Sequence, residues 1–302
     1  MHFMPSLQYL VLAGPTAVGK TELAIQIALT LETEVVSCDA YQIYSGLDLL
    51  TAKPSPSNLA TVRHHLIGAL PLTELCDAYK YAIFARNTIS DLNRRGIVPL
   101  VVAGTGFYLQ GLEGGLPELP AADFKLRCEL DRQPTPDLLR ELEVRDPMTW
   151  RRIDHHNRHR IIRALEVCLL SGKPFSDSFD RKPTDPPIAA VTLTRPRAEL
   201  VSRIDRRVDE MFDRGVIEEV AAVGTIGPTA SNAIGFRLIR AFLAGKIDET
   251  ACKEGIKGQT RNYAKRQLAW FRRKPYAMIE AESSTSRVIE KFRNASAPKP
   301  AS

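Results

Sequence analysis

The stretch Gly14-Pro15-Thr16-Ala17-Val18-Gly19-Lys20-Thr21 decides the fold. It fits the pattern G-x-x-x-x-G-K-[ST] and stands between two segments of different periodicity. Before it, Gln8–Ala13 (QYLVLA) is a short apolar run ending at Gly14, the mark of a buried strand. After it, Leu23, Ala24, Ile27, Ala28 and Leu31 recur at helical spacing from Lys20 onward. Ile25 and Leu29 lie off that stripe, so the helix is expected to be buried on more than one side. Glycines let successive backbone N–H groups turn inward around an anion. The helix N-terminus adds partial positive charge, Lys20 adds a full one, and Thr21 can hold Mg²⁺. A chance glycine turn with a surface lysine would not account for both flanks. The motif specifies phosphate; it does not specify nucleotide.

Working outward, Glu34–Ser37, Pro99–Ala103 and Ala189–Thr194 read as further strands. A helix after the last carries Leu200, Val201, Ile204, Val208, Met211 and Phe212 on one stripe. Strands alternating with helices imply a parallel sheet covered on both faces. From Gly111 to about Pro187 proline recurs and the best elements are helices, over 137–144 and 158–170. The expected fold class is therefore α/β: a P-loop NTPase-like parallel sheet flanked by helices, with a helical insertion domain. The expected domains are 1–112 (core, first part), 113–188 (insertion), 189–282 (core, second part) and 283–302. The last stretch turns to Ser, Ala, Pro and Lys and is expected to be a mobile tail.

The 302 residues suggest about two domains. Hydrophobic residues at 44% and charged residues at 25% exclude a disordered chain. No apolar run approaches the roughly 20 residues of a membrane span. No signal peptide is visible at the start, and the five cysteines form no CxxC pair, so a reducing cytoplasm is the expected setting. Net charge is +6, and its distribution carries more meaning. Lys257, Arg261, Lys265, Arg266, Arg272, Arg273 and Lys274 occur without an acid between Gly255 and Ile279. A second basic cluster spans Arg151 to Arg163. Two separated clusters suit a long polyanion.

Asp39 follows the second strand, at the end where open α/β sheets place ligands. Its carboxylate could hold Mg²⁺ through water or act as a general base; a turn or helix-capping role is the alternative. Thr105, in Gly104-Thr105-Gly106-Phe107-Tyr108, also follows a strand and offers a hydroxyl, again with capping as the alternative. His64 and His65 have no carboxylate or cysteine at metal-ligand spacing and read as packing or loop residues.

A resemblance then becomes specific. GPTAVGKT, DAYQIYSGLDLLTAKP, His64-His65-Leu66-Ile67, AGTGFYLQGL, RIIRALEV (Arg160–Val167) and TRNYAKRQLAWFR (Thr260–Arg272) occur in order. Together they resemble the tRNA dimethylallyltransferase family, whose members prenylate N6 of the adenosine 3′ to certain anticodons. The resemblance runs from about residue 8 to about 280. It implies dimethylallyl diphosphate as donor, tRNA as acceptor and Mg²⁺ as cofactor. It implies Asp39, Thr105, Lys20 and Arg207 as catalytic, with Arg203 one turn before Arg207. Gly14 to Thr21 would take the diphosphate, with Thr21 on the metal. Asp39, Ala40, Tyr41, Gln42 and Thr105 would meet the target base and its neighbours. Arg127, His159, Arg160, Ile161, Ile162, Arg163, Arg261 and Lys265 would contact the tRNA. Four positions depart from the pattern: Ala40 for serine, Leu50 for glycine, Asn157 for aspartate and Asn262 for glutamine.

Other readings stay open on sequence alone: an ATP-dependent small-molecule kinase, a prenyltransferase acting on free adenine nucleotides, or an RNA-binding module with a vestigial loop. The two basic clusters favour an RNA acceptor, and no membrane and a monomer are expected.

Overall fold

The computed structural model describes residues 7–117, 119–178, 184–281 and 285–296. The chain divides into two compact units, Met1–Glu113 with Asp185–Ser302, and Gly114–Thr184. Before the insertion come β1 (Leu10–Ala13), α1 (Lys20–Thr30), β2 (Val35–Cys38), α2 (Pro56–Thr61), β3 (His64–His65), α3 (Ala78–Arg94), β4 (Leu100–Ala103) and α4 (Gly106–Leu112). The insertion holds α5 (Phe124–Asp131), α6 (Thr135–Arg145), α7 (Pro147–Arg152) and α8 (Arg158–Ser171). There follow β5 (Ala189–Thr194), α9 (Arg197–Asp213), α10 (Val216–Ala221), α11 (Phe236–Leu243), α12 (Glu249–Phe271), β6 (Ala277–Glu280) and α13 (Thr285–Ser296).

The six strands are all parallel, in the order β3-β2-β4-β1-β5-β6. β1 is central and buried at every residue, as an apolar run without alternation requires. The register aligns Cys38 with Ala103, Ala103 with Ala13 and Ala13 with Thr192. The loops after β1, β2, β4 and β5 therefore leave the sheet at one edge. That alignment brings Gly14, Asp39, Gly104 and Arg195 to a common site.

Helix α1 buries Leu23, Ala24, Ile27 and Ala28. Of the two residues off its stripe, Ile25 packs partly against Ala28, Val35 and Val62, while Leu29 is 55% exposed. The expected burial on more than one side thus holds for Ile25 alone. Helix α9 turns Leu200, Ile204, Val208, Met211 and Phe212 inward.

The C-terminal stretch corrects the expectation of a mobile tail. Residues Thr285–Ser296 form α13, and Val288 and Phe292 are fully buried in the core cluster that holds Leu23, Ile27 and Val191. Two apolar residues one turn apart anchor the helix despite its polar composition. Residues 282–284 and 297–302 lie outside the described residues.

The insertion also ends earlier than 188. Asp185 already belongs to the core: Arg86 Nη2 donates to its carboxylate at 2.7 Å and the Tyr9 hydroxyl donates to its carbonyl at 2.6 Å. Within the insertion, Leu130, Leu138, Leu142, Ile161 and Leu165 form a separate apolar centre. Asn157 caps α8, its side chain accepting the N–H of Arg160 at 3.2 Å. Asparagine and aspartate serve equally in that role, which makes the departure at Asn157 harmless to the helix.

Candidate active site at the carboxyl edge of the sheet

The loop after β1 wraps with three residues at positive φ: Gly14, Ala17 and Gly19. At Gly14 a β-carbon would meet the Leu193 carbonyl at 3.0 Å and Val18 at 3.1 Å, so the chain can turn there only as glycine. Pro15 and Val18 are buried and contribute backbone alone. Lys20 folds back over the loop, donating to the carbonyls of Gly14 at 2.9 Å and Pro15 at 2.7 Å. Burial lowers its pKa to about 8, and the Asp39 carboxylate partly counters the shift.

Three arginines brace this loop from β5 and α9. Arg195 Nε donates to the Val18 carbonyl at 2.8 Å, and Arg203 Nε to that of Ala17 at 2.7 Å. Arg207 Nη1 donates to the Thr16 hydroxyl at 3.1 Å. Burial lowers the pKa of Arg207, with Asp39 and Glu22 opposing. Arginine's weak hydration and high intrinsic basicity keep it charged there. Arg203 and Arg207 thus face the loop rather than solvent. Arg195 was not among the expected residues, although it sits just past a strand end, where a ligand-site residue is expected.

Asp39 stands opposite the loop. Its Oδ1 accepts the N–H of Tyr41 at 2.9 Å and of Gln42 at 3.3 Å, which fixes the carboxylate as a turn-former. The turn reading therefore holds, and the same residue lines the cavity. Oδ2 lies 3.0 Å from where a β-carbon on Gly104 would stand. The Thr105 hydroxyl accepts the N–H of Ala40 at 3.1 Å and lies 3.4 Å from the Tyr263 hydroxyl. Thr105 is the N-cap residue of α4 but makes no capping bond, so its hydroxyl serves the Asp39 loop instead. Gln42 reaches the carbonyl of Ala52 at 3.1 Å and accepts from Ser37 at 3.0 Å. Thr16, Lys20, Thr21, Asp39, Arg207 and Tyr263 line one cavity of about 500 Å³.

Gln267 on α12 is the second residue the expectations missed. Its Oε1 accepts the Thr16 N–H at 2.9 Å and its Nε2 donates to the Gly104 carbonyl at 2.7 Å. The Thr16 N–H is thereby engaged within the protein, so the backbone donors left to an anion run from Ala17 to Thr21. A polar residue on the buried stripe of Ala264, Gln267 and Phe271 is the signal that marks it.

The remaining candidates separate. Arg127 grips Glu166 with two bonds, at 2.8 and 2.9 Å, and Arg163 donates to the same fully buried carboxylate. Burial alone would raise Glu166, but these arginines hold it below the ordinary carboxylate range. Arg127 and Arg163 thus neutralise an internal charge, and both side chains stay partly exposed. Ile161 and Ile162 are core residues at 0% and 8% exposure, which removes their side chains from any RNA surface. His159 and Arg160 are exposed. Arg261 makes a two-bonded pair with Asp205 at 2.8 and 2.6 Å, and Lys257 pairs with Asp209, so α9 supplies acids that the local sequence lacked. Lys265 is exposed. His64 and His65 form β3, with His65 Nε2 2.6 Å from Glu34.

Among the described residues no group of three His, Cys, Asp or Glu could hold a metal, the cysteines are free, and no helix is long and apolar enough to cross a membrane.

A parallel sheet with a bent anion loop, a half-buried lysine and a carboxylate across one cavity defines a phosphate-loop enzyme of the group-transfer kind. Residues 42–274 match the IPP transferase family and residues 7–76 match isopentenyl transferase. A tRNA dimethylallyltransferase of Salinibacter ruber is 39% identical over 303 residues, covering 96% of this chain and 93% of that protein. One from Bifidobacterium animalis is 38% identical over 274 residues, covering 87% and 79%. The crystal structure of tRNA delta(2)-isopentenylpyrophosphate transferase from Staphylococcus epidermidis superposes with a TM-score of 0.67 at 29% identity, covering 95% of this chain and 98% of that one. A eukaryotic dimethylallyltransferase acting on tRNA superposes with a TM-score of 0.81 at 26% identity, covering 98% and 81%. The chain belongs to the IPP transferase family, and so to the prenyl transferases.

Proposed function

We propose that this chain transfers the dimethylallyl group of dimethylallyl diphosphate to N6 of the adenosine 3′ to the anticodon in tRNA, releasing diphosphate. The observation that carries this reading is the single cavity shared by the anion loop, Arg207 and the Asp39 carboxylate. A cradle for a departing anion and a base for an incoming amine are what such a transfer needs.

An exocyclic adenine amine is a weak nucleophile, because its lone pair is delocalised into the ring. Asp39 takes its proton as N6 bonds to C1 of the prenyl group. The C1–O bond breaks, and the electron pair leaves on the diphosphate. Charge building there meets the N–H groups of residues 17–21, the Lys20 ammonium and the Arg207 guanidinium. Thr105 holds the Ala40 end of the Asp39 loop, and with it the direction of the base. The Thr21 hydroxyl fits Mg²⁺, which takes one or two protein oxygens and completes its shell with phosphate and water. Bound there, the ion would neutralise part of the diphosphate charge.

The target base has to swing out of the anticodon loop to reach the cavity, at a cost of a few kcal/mol. Exposed cations, His159 and Arg160 on α8 and Lys265 on α12, supply RNA contacts that offset this cost. The test is one incubation with labelled dimethylallyl diphosphate, Mg²⁺ and total tRNA. Label should enter tRNA and appear as a prenylated adenosine. Label that stays with small molecules, or phosphate transfer from labelled ATP to a small acceptor instead, refutes the reading.

A further inference from the structure

We propose that Gln267 is a positioning residue for prenyl transfer, a carboxamide strut that sets the spacing between the diphosphate cradle and the carboxylate that receives the amine proton. The inference rests on the function proposed above and goes beyond it, to a residue that touches neither reacting group.

Gln267 lies 251 residues from Thr16 in sequence and is 5% exposed. Both ends of its carboxamide are engaged. The oxygen takes the Thr16 N–H at 2.9 Å, and the nitrogen gives to the Gly104 carbonyl at 2.7 Å. Thr16 belongs to the anion loop, and its hydroxyl receives Arg207 at 3.1 Å. Gly104 closes β4, and its Cα faces Asp39 so closely that an added methyl would stand 3.0 Å from Oδ2. The strut therefore joins the donor side to the acceptor side through two short bonds. No other residue type of this length offers an acceptor and a donor on one planar group, asparagine being a methylene shorter.

The same helix makes a parallel link one turn earlier, where the Tyr263 hydroxyl lies 3.4 Å from Thr105 Oγ1. Helix α12 thus touches the anion loop and the turn after β4, and through Thr105 it is linked to the Asp39 loop. Reacting atoms have to meet at about 3–3.5 Å, and a shift of about 1 Å costs on the order of 100-fold in rate. A strut across the gap holds that distance where loop backbone alone would drift.

The test uses the full chain with two substitutions. Gln267→Met keeps length and removes both bonds. Gln267→Glu keeps the Thr16 bond but cannot donate to Gly104. Inorganic diphosphate is titrated as the probe for the cradle, tRNA affinity is measured separately, and kcat and KM for dimethylallyl diphosphate are determined at saturating tRNA. A positioning role predicts melting within a few degrees of the parent, unchanged tRNA affinity, and kcat down roughly 100-fold with a smaller rise in KM. Diphosphate should bind more weakly to Gln267→Glu than to Gln267→Met, since only the former brings a negative charge to the cradle. Unchanged kcat in both variants overturns the proposal. So does a loss that merely follows the unfolded fraction, or failure of both to fold. If the parent binds diphosphate but prenylates nothing, the functional reading fails instead, and the diphosphate titrations still report whether Gln267 shapes the cradle.

Discussion

The hydroxyl of Thr105 accepts the backbone N–H of Ala40 at 3.1 Å, tying the loop after β4 to the loop after β2 at the residue next to Asp39. The bond uses backbone at position 40, so the alanine found there loses nothing from it. Thr105→Val would keep the shape and leave that N–H without its partner. Losing this half-buried hydrogen bond costs about 1–3 kcal/mol, so prenyl transfer should fall roughly 5- to 150-fold. Thr105→Ser should stay within a few-fold. Single-turnover rates at saturating tRNA and donor decide between them, and equal rates for both variants would deprive the hydroxyl of this role.

Asp39→Asn separates the two jobs of its carboxylate. Asparagine can still accept the N–H groups of Tyr41 and Gln42, so the turn and the fold should persist. It cannot take a proton from N6. Transfer should drop on the order of 10²- to 10⁴-fold, with tRNA affinity within a few-fold. A large loss of tRNA binding would make Asp39 a recognition residue first.

Much of this frame was legible in the sequence, and the reasons for the rest are physical. β1, β2, β4 and β5 are apolar runs that need no partner to be recognised. β3 has two residues, too short for any periodicity to register, and β6 is an edge strand with Met278 and Glu280 exposed. Helix α13 hides behind a polar composition because two residues, Val288 and Phe292, suffice to dock it. The motif placed Lys20 and Asp39 because their neighbours are local. Arg195 and Gln267 act across 177 and 251 residues, and only the folded chain shows that they converge. Nor does the sequence show that Glu166, an unremarkable acid there, is buried and paired with both Arg127 and Arg163.

Lys20 sets a pH dependence with two opposite signs. Its pKa falls from 10.5 to about 8 on folding. Between those values the unfolded chain holds a proton that the folded chain has released, so Lys20 contributes more stability as pH rises from about 8 towards 10.5. Anion binding runs the other way, because diphosphate favours the ammonium. The affinity advantage of the parent over Lys20→Met for inorganic diphosphate should shrink as pH rises above about 8. Calorimetric titrations from pH 7 to 9.5 would show it; a constant ratio would mean that Lys20 stays charged throughout.

Phe292→Ala tests the C-terminal helix. The ring is fully buried in the same cluster as Ile27 and Val191, beside the helix that opens at Lys20. Removing a buried phenylalanine ring costs about 3–5 kcal/mol. The midpoint of urea unfolding should fall accordingly, by far more than a tail residue would produce. An unchanged midpoint would return residues 285–296 to the role of a mobile extension.

Neighbours on α8 should give opposite phenotypes. Arg160 is exposed, so Arg160→Ala should weaken tRNA binding and lower the slope of log K against log salt by about 1, with stability intact. Ile161→Ala, in the insertion core, should cost about 2–5 kcal/mol and weaken tRNA only by unfolding. Arg163→Ala falls between: it exposes Glu166 to a deficit of positive charge, so stability should drop before any direct RNA effect is seen. Replacing Glu166 together with Arg127 and Arg163 by apolar residues of similar size separates the two effects, because it removes the charge deficit along with the arginines. If tRNA affinity returns in that triple variant, the arginines act through the fold. If it stays low while melting recovers, they touch the RNA themselves.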